Sequence, residues 1–198
     1  QKSMMEAGIK PEDIDAVVCS HAHIDHIGGI VDANDKPLFP NAQIYISQTD
    51  FDFWTDEGKL GSPAKDFVVH ARKNLLPVRD RIKFFKDGEE FLPGVQAISA
   101  PGHTVGHTIF MVSSAGKSFA FLGDLSHHSV LLLERPRMEF SYDTDPKQAA
   151  ESRVKLLTML AANKTPVMSY HFAWPGYGHV AKAGEGFHYY PEPMKMAL

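Results

Sequence analysis

His21-Ala22-His23-Ile24-Asp25-His26 is the stretch of sequence that decides the fold. It follows residues 14–20, a short and mostly apolar run rich in β-branched side chains, which is typical of a buried strand. Three imidazoles and a carboxylate within six residues are the side chains that bind metal ions. The segment therefore predicts a metal site at the end of a strand. The alternative is a solvated histidine-rich loop.

The spacing inside this segment favours two metal ions over one. In an extended chain His21 and His23 point to the same side, because side chains alternate along a strand. Asp25 and His26 enter a helical turn, where consecutive side chains diverge by roughly 100°. The ligands are therefore expected to serve two adjacent positions.

Strand-like and helical patterns alternate along the rest of the chain. Strands are predicted at residues 42–47, 82–85, 95–100, 107–113, 118–122 and 166–171, with a hairpin turn at 114–117. Helices are predicted at residues 63–76 and 146–163, the second with Asp145 as its N-cap and Gln148 at its third position. This alternation predicts a layered α/β architecture, and residues 1–198 are interpreted as a single domain.

Charge and composition exclude several classes of partner. The 198 residues include 20 Lys+Arg and 24 Asp+Glu, a net charge of −4, which argues against nucleic acid as the partner. No apolar run reaches the roughly 20 residues that span a bilayer, so no membrane partner is expected. Cys19 is the only cysteine and cannot form an intramolecular disulfide. The compartment is left open between the cytoplasm and the periplasm or secretion, for a soluble protein.

Four segments, in this order, resemble the metallo-β-lactamase superfamily. Residues 21–26 match its His-x-His-x-Asp-His signature, and residues 101–107 resemble the loop whose first histidine is a ligand. Asp124, which closes an apolar strand, resembles the bridging aspartate, and His171 resembles the last ligand. The resemblance implies an αββα sandwich. Because only 20 residues precede the signature, the chain is expected to be the later, ligand-bearing part of the fold without its N-terminal strands.

The resemblance implies seven ligands shared between two divalent metal ions. One ion would be held by His21, His23 and His103, and the other by Asp25, His26 and His171, with Asp124 bridging. Imidazoles and carboxylates suit zinc, and this set also accepts manganese, iron or cobalt. Two ions about 3.5–4 Å apart can lower the pKa of a shared water to near 7. Asp25 is the expected catalytic residue, which orients the resulting hydroxide or moves its proton.

Two further histidines keep alternative roles. His107 is expected to support the site or to begin a strand, and His179, in a glycine-rich stretch, competes with His171 as the last ligand.

The residues at two positions disfavour two branches of the superfamily and so reduce the candidate substrate classes. True β-lactamases of the largest zinc subclass carry a cysteine where Asp124 stands, and the flavo-diiron branch usually carries Glu where His23 stands. Residues 123–128, 143–149 and 171–176 look most like organophosphate hydrolases of the methyl parathion hydrolase type. The predicted reaction is therefore hydrolysis of a small ester-like molecule, either an organophosphate triester or an aryl ester. Lactonases and thioesterases are the alternatives, although lactonases often have a tyrosine where His127 stands.

Aromatic residues near the ligand motifs predict a substrate pocket. The candidates are Phe51, Trp54, His127, Phe172 and Trp174. Such a pocket would suit aryl groups or acyl chains. The alternative for Phe51 and Trp54 is the core-facing side of a helix. A homodimer is a further expected partner, and the non-enzymatic alternative is a fragment without a functional metal site.

Overall fold

The computed structural model describes residues 2–193, and the chain divides into two compact units. Unit 1 comprises residues 1–86 and unit 2 comprises residues 87–198. Each unit combines one β-sheet with α-helices and has a hydrophobic core of its own. The predicted alternation of strands and helices is therefore present in both, and the prediction of a single domain stays a prediction.

Unit 1 is built on a parallel three-stranded sheet. Its strands are β1 (Ala16–Val18), β2 (Gln43–Ser47) and β3 (Ile82–Phe85), in that order across the sheet. Its helices are α1 (Lys2–Glu6), α2 (Ile24–Ile27), α3 (Gln48–Thr55) and α4 (Lys65–Leu75), with 3-10 turns at Pro11–Asp13, Glu57–Gly61 and Leu76–Arg81. Parallel strands need long connections, and these helices supply them. The signature segment follows β1 directly.

The core of unit 1 forms because the helices bury one face. In α4, Val68, Ala71 and Leu75 are fully buried and lie three and four residues apart, on one side of the helix. Burying an aliphatic side chain such as Val68 or Leu75 contributes about 1.5–3 kcal/mol. The predicted helix at 63–76 is thus confirmed, with its ends in turns.

Unit 2 contains a seven-stranded sheet. Its strands are β4 (Glu90–Leu92), β5 (Val95–Ser99), β6 (Thr108–Ser114), β7 (Lys117–Phe121), β8 (Val167–Met168), β9 (Tyr177–Ala183) and β10 (Gly186–Pro191). They lie in the order β10-β9-β8-β7-β6-β5-β4, and only β7 and β8 are parallel neighbours. Helices α5 (Leu131–Glu134) and α6 (Pro146–Ala162) lie in the connection between those two strands. The crossover is therefore what makes this pair parallel.

Helix α6 begins where the sequence predicts. The Asp145 side chain accepts a hydrogen bond from the backbone N–H of Gln148 at 3.0 Å, which satisfies one of the free donors of the first turn. Leu156, Leu157 and Leu160 are buried from this helix into the core of unit 2. The helix thus anchors the segment that precedes it to the sheet.

The C-terminal region differs from the prediction. The strand predicted at 166–171 is only two residues long, and the hairpin of β9 and β10 was not predicted. Gly178 suggested a loop, but a Cβ there would lie 2.2 Å from the Tyr190 carbonyl oxygen. This glycine therefore allows two strands to approach closely, which a turn signal in the sequence does not distinguish. Within residues 2–193, no helix combines the length and apolar character needed to cross a membrane.

Candidate metal centre

The signature segment of unit 1 is held by the end of β1 and by a buried carboxylate. The backbone N–H of Cys19 donates to the Tyr45 carbonyl at 2.8 Å, which continues the pairing of β1 with β2. The backbone N–H of Ala22 then donates to Oδ2 of Asp50 at 2.6 Å. Asp50 is fully buried in α3. The backbone between two predicted ligands is therefore fixed by a residue that is 28 positions away in sequence.

The rings of His23 and His26 both lie close to the ring of His21. The ring centroids of His21 and His23 are 4.7 Å apart, and those of His21 and His26 are 4.1 Å apart. Ser20 Oγ lies 3.0 Å from Nδ1 of His21 and helps to orient that ring. His23 packs against Trp54 at 5.2 Å between ring centroids. The divergence expected from the spacing does not carry His26 away from His21.

Asp25 and His26 lie in α2, the helical turn that the spacing predicts. Nε2 of His26 is 3.3 Å from Oδ2 of Asp25. The Asp25 side chain is 42% exposed, whereas that of His26 is 7% exposed. Asp25 is therefore the ligand candidate of unit 1 that solvent or a small molecule reaches most easily.

The ligand candidates of unit 2 converge on one oxygen of Asp124. Oδ2 of Asp124 lies 3.3 Å from Nε2 of His103, 3.0 Å from Nε2 of His127 and 3.2 Å from Nε2 of His171. His127, predicted as a pocket residue, therefore belongs to this cluster. The ring of His127 stacks on that of His171 with 4.8 Å between centroids, and it contacts the ring of Phe140 in a tilted arrangement at 4.5 Å.

His107 supports Asp124 through a hydrogen bond to its backbone. Its Nδ1–H donates to the Ala100 carbonyl at 3.0 Å, and its Nε2 accepts the backbone N–H of Asp124 at 2.9 Å. These two contacts specify one tautomer of the neutral ring. His107 thus ties the loop after β5 to the loop after β7, the supporting role expected for it.

The loop that carries His103 is pressed against the start of α6. A Cβ on Gly102 would lie 2.1 Å from the backbone nitrogen of Ala149, and the φ of Gly102 is +128°. The Gly102 carbonyl accepts from the backbone N–H of Asp145 at 2.8 Å, and the His103 carbonyl accepts from that of Thr144 at 2.9 Å. Glycine is the only residue that fits this close approach.

Asp143 holds the other side of the His103 ring. Its Oδ1 lies 2.9 Å from Nδ1 of His103. Burial alone would lower the pKa of His103, but hydrogen bonds to Asp124 and Asp143, together with their charges, raise it to about 9. The sequence did not predict Asp143 and Asp50 as parts of the site. Asp143 begins the segment 143–149 that resembles organophosphate hydrolases, but each carboxylate is far along the chain from the ligand segment that it supports.

The donor sets fit a divalent cation. In unit 2, one ligand atom each from His103, Asp124 and His127 lies within 4.8 Å of the others. Imidazole nitrogens and carboxylate oxygens without a thiolate suit zinc and its first-row neighbours. Metal-binding histidines usually donate their second ring N–H to a carboxylate or carbonyl, as the contact between His103 and Asp143 allows. Both groups of side chains therefore have the chemistry of metal ligands.

The other predicted site residues lie in the hydrophobic cores, on the surface or on a strand. Phe51 and Trp54 belong to the core of unit 1, the alternative that the sequence left open. Phe172 is buried in the core of unit 2, and Trp174 is 83% exposed. His179 lies on β9 and not in a loop, with Nε2 3.4 Å from a carboxylate oxygen of Glu192.

A sequence profile of the Metallo-beta-lactamase superfamily matches residues 1–171. The chain belongs to this superfamily, and both the family and its α/β fold are confirmed as the sequence predicts. The finer resemblance to methyl parathion hydrolases stays a prediction.

Several relatives are known by structure or sequence. AidC, described as a dizinc quorum-quenching lactonase in complex with a product, is 34% identical, with a TM-score of 0.92 over 98% of this chain and 70% of its own. The hydrolase AbOPH is 30% identical, with a TM-score of 0.90 over the same shares. The probable metallo-hydrolase MJ0296 of Methanocaldococcus jannaschii is 29% identical over 78% of this chain and 57% of its own length.

An N-acyl homoserine lactonase of Bacillus cereus is 23% identical over 96% of this chain and 65% of its own length. The chain therefore spans roughly three fifths of the length of these two curated relatives.

Proposed function

We propose that this chain carries the metal centre of a hydrolase that opens lactone rings. The observation that supports this most is the similarity to AidC, a lactonase, along 98% of the chain. The convergence of histidines and aspartates in both units supports a metal-dependent reaction. This reverses the order of substrates suggested by the sequence, in which the ester-like molecule came first and the lactone second.

The proposed ligand set is the one implied by the family signature. His21, His23 and His103 would hold one divalent ion, and Asp25, His26 and His171 the other, with Asp124 bridging. Two features support it: the three imidazoles that gather in unit 1, and the rings of His103 and His171, which both approach Asp124 in unit 2. Zinc is the proposed metal, since AidC is described as a dizinc enzyme.

Bound divalent ions would supply Lewis acidity and a water of lowered pKa. The protein would supply orientation. His107 would fix the backbone of Asp124, and Asp143 would fix the ring of His103, so both residues would be oriented before a substrate binds. Asp25, more exposed than His26, would accept a proton at its carboxylate.

His127 would contact the substrate beside Asp124. Its ring is held between His171 and Phe140, so its direction is set before any ligand arrives. Its Nε2 lies 3.0 Å from Oδ2 of Asp124, so an N–H there would be shared with an ester or lactone oxygen bound beside this carboxylate. His127 would therefore take the place of the tyrosine that many lactonases carry there.

Aromatic side chains of unit 2 near this cluster would contact an apolar acyl chain. Phe140 and Tyr142 have ring centroids 5.5 Å apart, and Tyr170 lies 4.7 Å from the ring of His171. Tyr142 is 67% exposed and Tyr170 is 53% exposed. Partly exposed aromatics beside polar groups are typical of sites for small molecules.

The test is a comparison of substrates on the zinc-loaded chain. Lactones with acyl chains, thioesters, phosphotriesters, aryl esters and β-lactams are compared by kcat/KM. We expect the lactones to give the largest value. A phosphotriester or aryl ester hydrolysed tenfold better than every lactone would contradict the lactone proposal and favour the ester-like substrate suggested by residues 123–128. Less than about one metal ion per chain, with no hydrolysis of any substrate, would contradict an enzyme.

A further inference from the structure

Arg153 is a buried cation in α6. Its guanidinium donates hydrogen bonds to three backbone carbonyls in loops and contacts one carboxylate. Its side chain is 1% exposed. Nε donates to the Leu125 carbonyl at 2.9 Å, and one terminal nitrogen donates to the carbonyls of Pro136 and Met138 at 3.0 Å each. The other terminal nitrogen lies 3.4 Å from Oδ2 of Asp143. One guanidinium therefore holds three separate segments of unit 2.

Asp143 stands between this guanidinium and the metal-ligand candidate His103. Its side chain is fully buried. One oxygen contacts Nδ1 of His103 at 2.9 Å, and the other contacts Arg153. Because each carboxylate oxygen has its own partner, the plane of the carboxylate is fixed. The ring of His103 can then present only Nε2, which is the nitrogen that lies 3.3 Å from Asp124.

The same guanidinium reaches the loop of the second ligand. Leu125 directly follows Asp124, so the bond from Arg153 to the Leu125 carbonyl restrains the loop in which Asp124 lies. Arg153 thus acts on His103 through a carboxylate and on Asp124 through the main chain.

We propose that Arg153 and Asp143 are a positioning pair that aligns His103 and Asp124 for one metal ion. A buried ion pair rarely adds stability, because removing two charges from water costs as much as their attraction returns. The pair instead orients the ligands. A guanidinium has a planar, fixed set of donors, and a carboxylate fixes the tautomer of the imidazole that it contacts. Mutating a carboxylate that contacts a ligating histidine commonly weakens metal binding by about 10–100-fold.

The inference rests on the metal centre proposed above, and its test measures zinc affinity, not turnover. The zinc dissociation constant is determined by competition with a chromophoric chelator for the unaltered chain, for Asp143→Asn and for Asp145→Ala. Asp145 is the matched control because it lies two residues away and caps α6, but its carboxylate accepts from Gln148 and not from a histidine. Melting temperatures of the metal-free proteins are recorded in parallel.

We expect Asp143→Asn to weaken zinc binding by about 10–100-fold. Asp145→Ala should lower the melting temperature and leave zinc affinity within about twofold. Equal zinc affinity of a folded Asp143→Asn variant and the unaltered chain would overturn the inference. A chain that binds no zinc even when unaltered would overturn the proposed function instead, so the two failures are distinguishable.

A second variant and a second measurement cover the case in which Asp143→Asn does not fold. Asp143→Glu keeps the charge opposite Arg153 but moves the carboxylate by one methylene, and it should show the same loss of affinity. In the unaltered, zinc-loaded chain, long-range ¹H–¹⁵N spectra should show the His103 proton on Nδ1. A proton on Nε2, or unchanged zinc affinity in Asp143→Glu, would overturn the inference.

Discussion

The two groups of ligand candidates are built in different ways. Those of unit 1 lie in a single six-residue segment at the end of β1, within which the rings of His23 and His26 both lie close to that of His21. Those of unit 2 lie on separate loops, and Asp124 and His171 are 47 residues apart in sequence. The first group is fixed by one neighbouring strand and by Asp50. The second needs a network of supporting residues, of which His107, Asp143 and Arg153 are the main members.

Metal binding should therefore be sensitive to different residues in the two units. In unit 1 the ligands themselves are the sensitive positions, because they are neighbours in one short segment. In unit 2 the glycine and the carboxylate behind the ligands matter as well. Substitutions in each unit should show whether metal binding depends on the ligands alone or also on the residues that support them.

The largest effect is expected from His23→Ala in unit 1. Loss of one imidazole from the three-ring group should remove bound metal and lower hydrolysis by at least about 100-fold. His188→Ala is the control, since His188 is half exposed and 3.9 Å from a Glu134 carboxylate oxygen. Elemental analysis and kcat/KM measure both effects. Similar losses in the two variants would contradict the ligand assignment.

The next effect is expected from Gly102→Ala in unit 2. The new Cβ would collide with the backbone of Ala149, and the positive φ of Gly102 disfavours a side chain, so the free energy of unfolding should fall by about 3 kcal/mol or more. Gly29→Ala, in unit 1, is the control because no atom lies within 4 Å of its Cβ position. Urea unfolding measures both. A stable Gly102→Ala protein with intact zinc binding would show that the His103 loop is not held as tightly as described.

A pH effect of similar size is expected in the metal-free protein. The pKa of His103 is raised from 6.5 to about 9 by Asp124 and Asp143, against the effect of burial. Its stabilising contribution, at most about 3 kcal/mol, is therefore complete below about pH 6.5 and is lost as the pH rises through 9. Urea unfolding with a chelator present, at several pH values, measures this loss. His103→Gln should flatten the dependence, and an unchanged slope in that variant would rule out His103 as its cause.

The smallest effects are expected from a matched pair of helix caps. Ser47 caps α3 in unit 1 by accepting from the backbone N–H of Asp50, and Asp145 caps α6 in unit 2. Ser47→Ala and Asp145→Ala should each lower the free energy of unfolding by about 1 kcal/mol. Thermal unfolding measures both. A much larger effect of Ser47→Ala would show that the position of Asp50, and with it the signature segment, depends on this cap.

The sequence predicted those parts of the molecule that depend on local spacing. The helical turn at Asp25 and His26, the cap of α6 by Asp145 and the turn at Ala115 and Gly116 all follow from residues within four positions of one another. The superfamily could be predicted because its signature is contiguous.

The rest depends on contacts between distant residues. Asp143 and Arg153 contact the ligand loops because α6 packs on the sheet of unit 2. Asp50 contacts the backbone of Ala22 because α3 directly follows β2, the strand beside β1. The hairpin of β9 and β10 was missed because Gly178 reads equally well as a loop or as a close approach of strands.

The zinc content of the chain is the most direct measure of a metal centre that holds two ions. The unaltered chain, loaded with zinc and dialysed against metal-free buffer, is compared with His23→Ala and with Asp143→Asn by elemental analysis. We expect about two zinc ions per unaltered chain and a loss in both variants. Less than one ion per unaltered chain would contradict it.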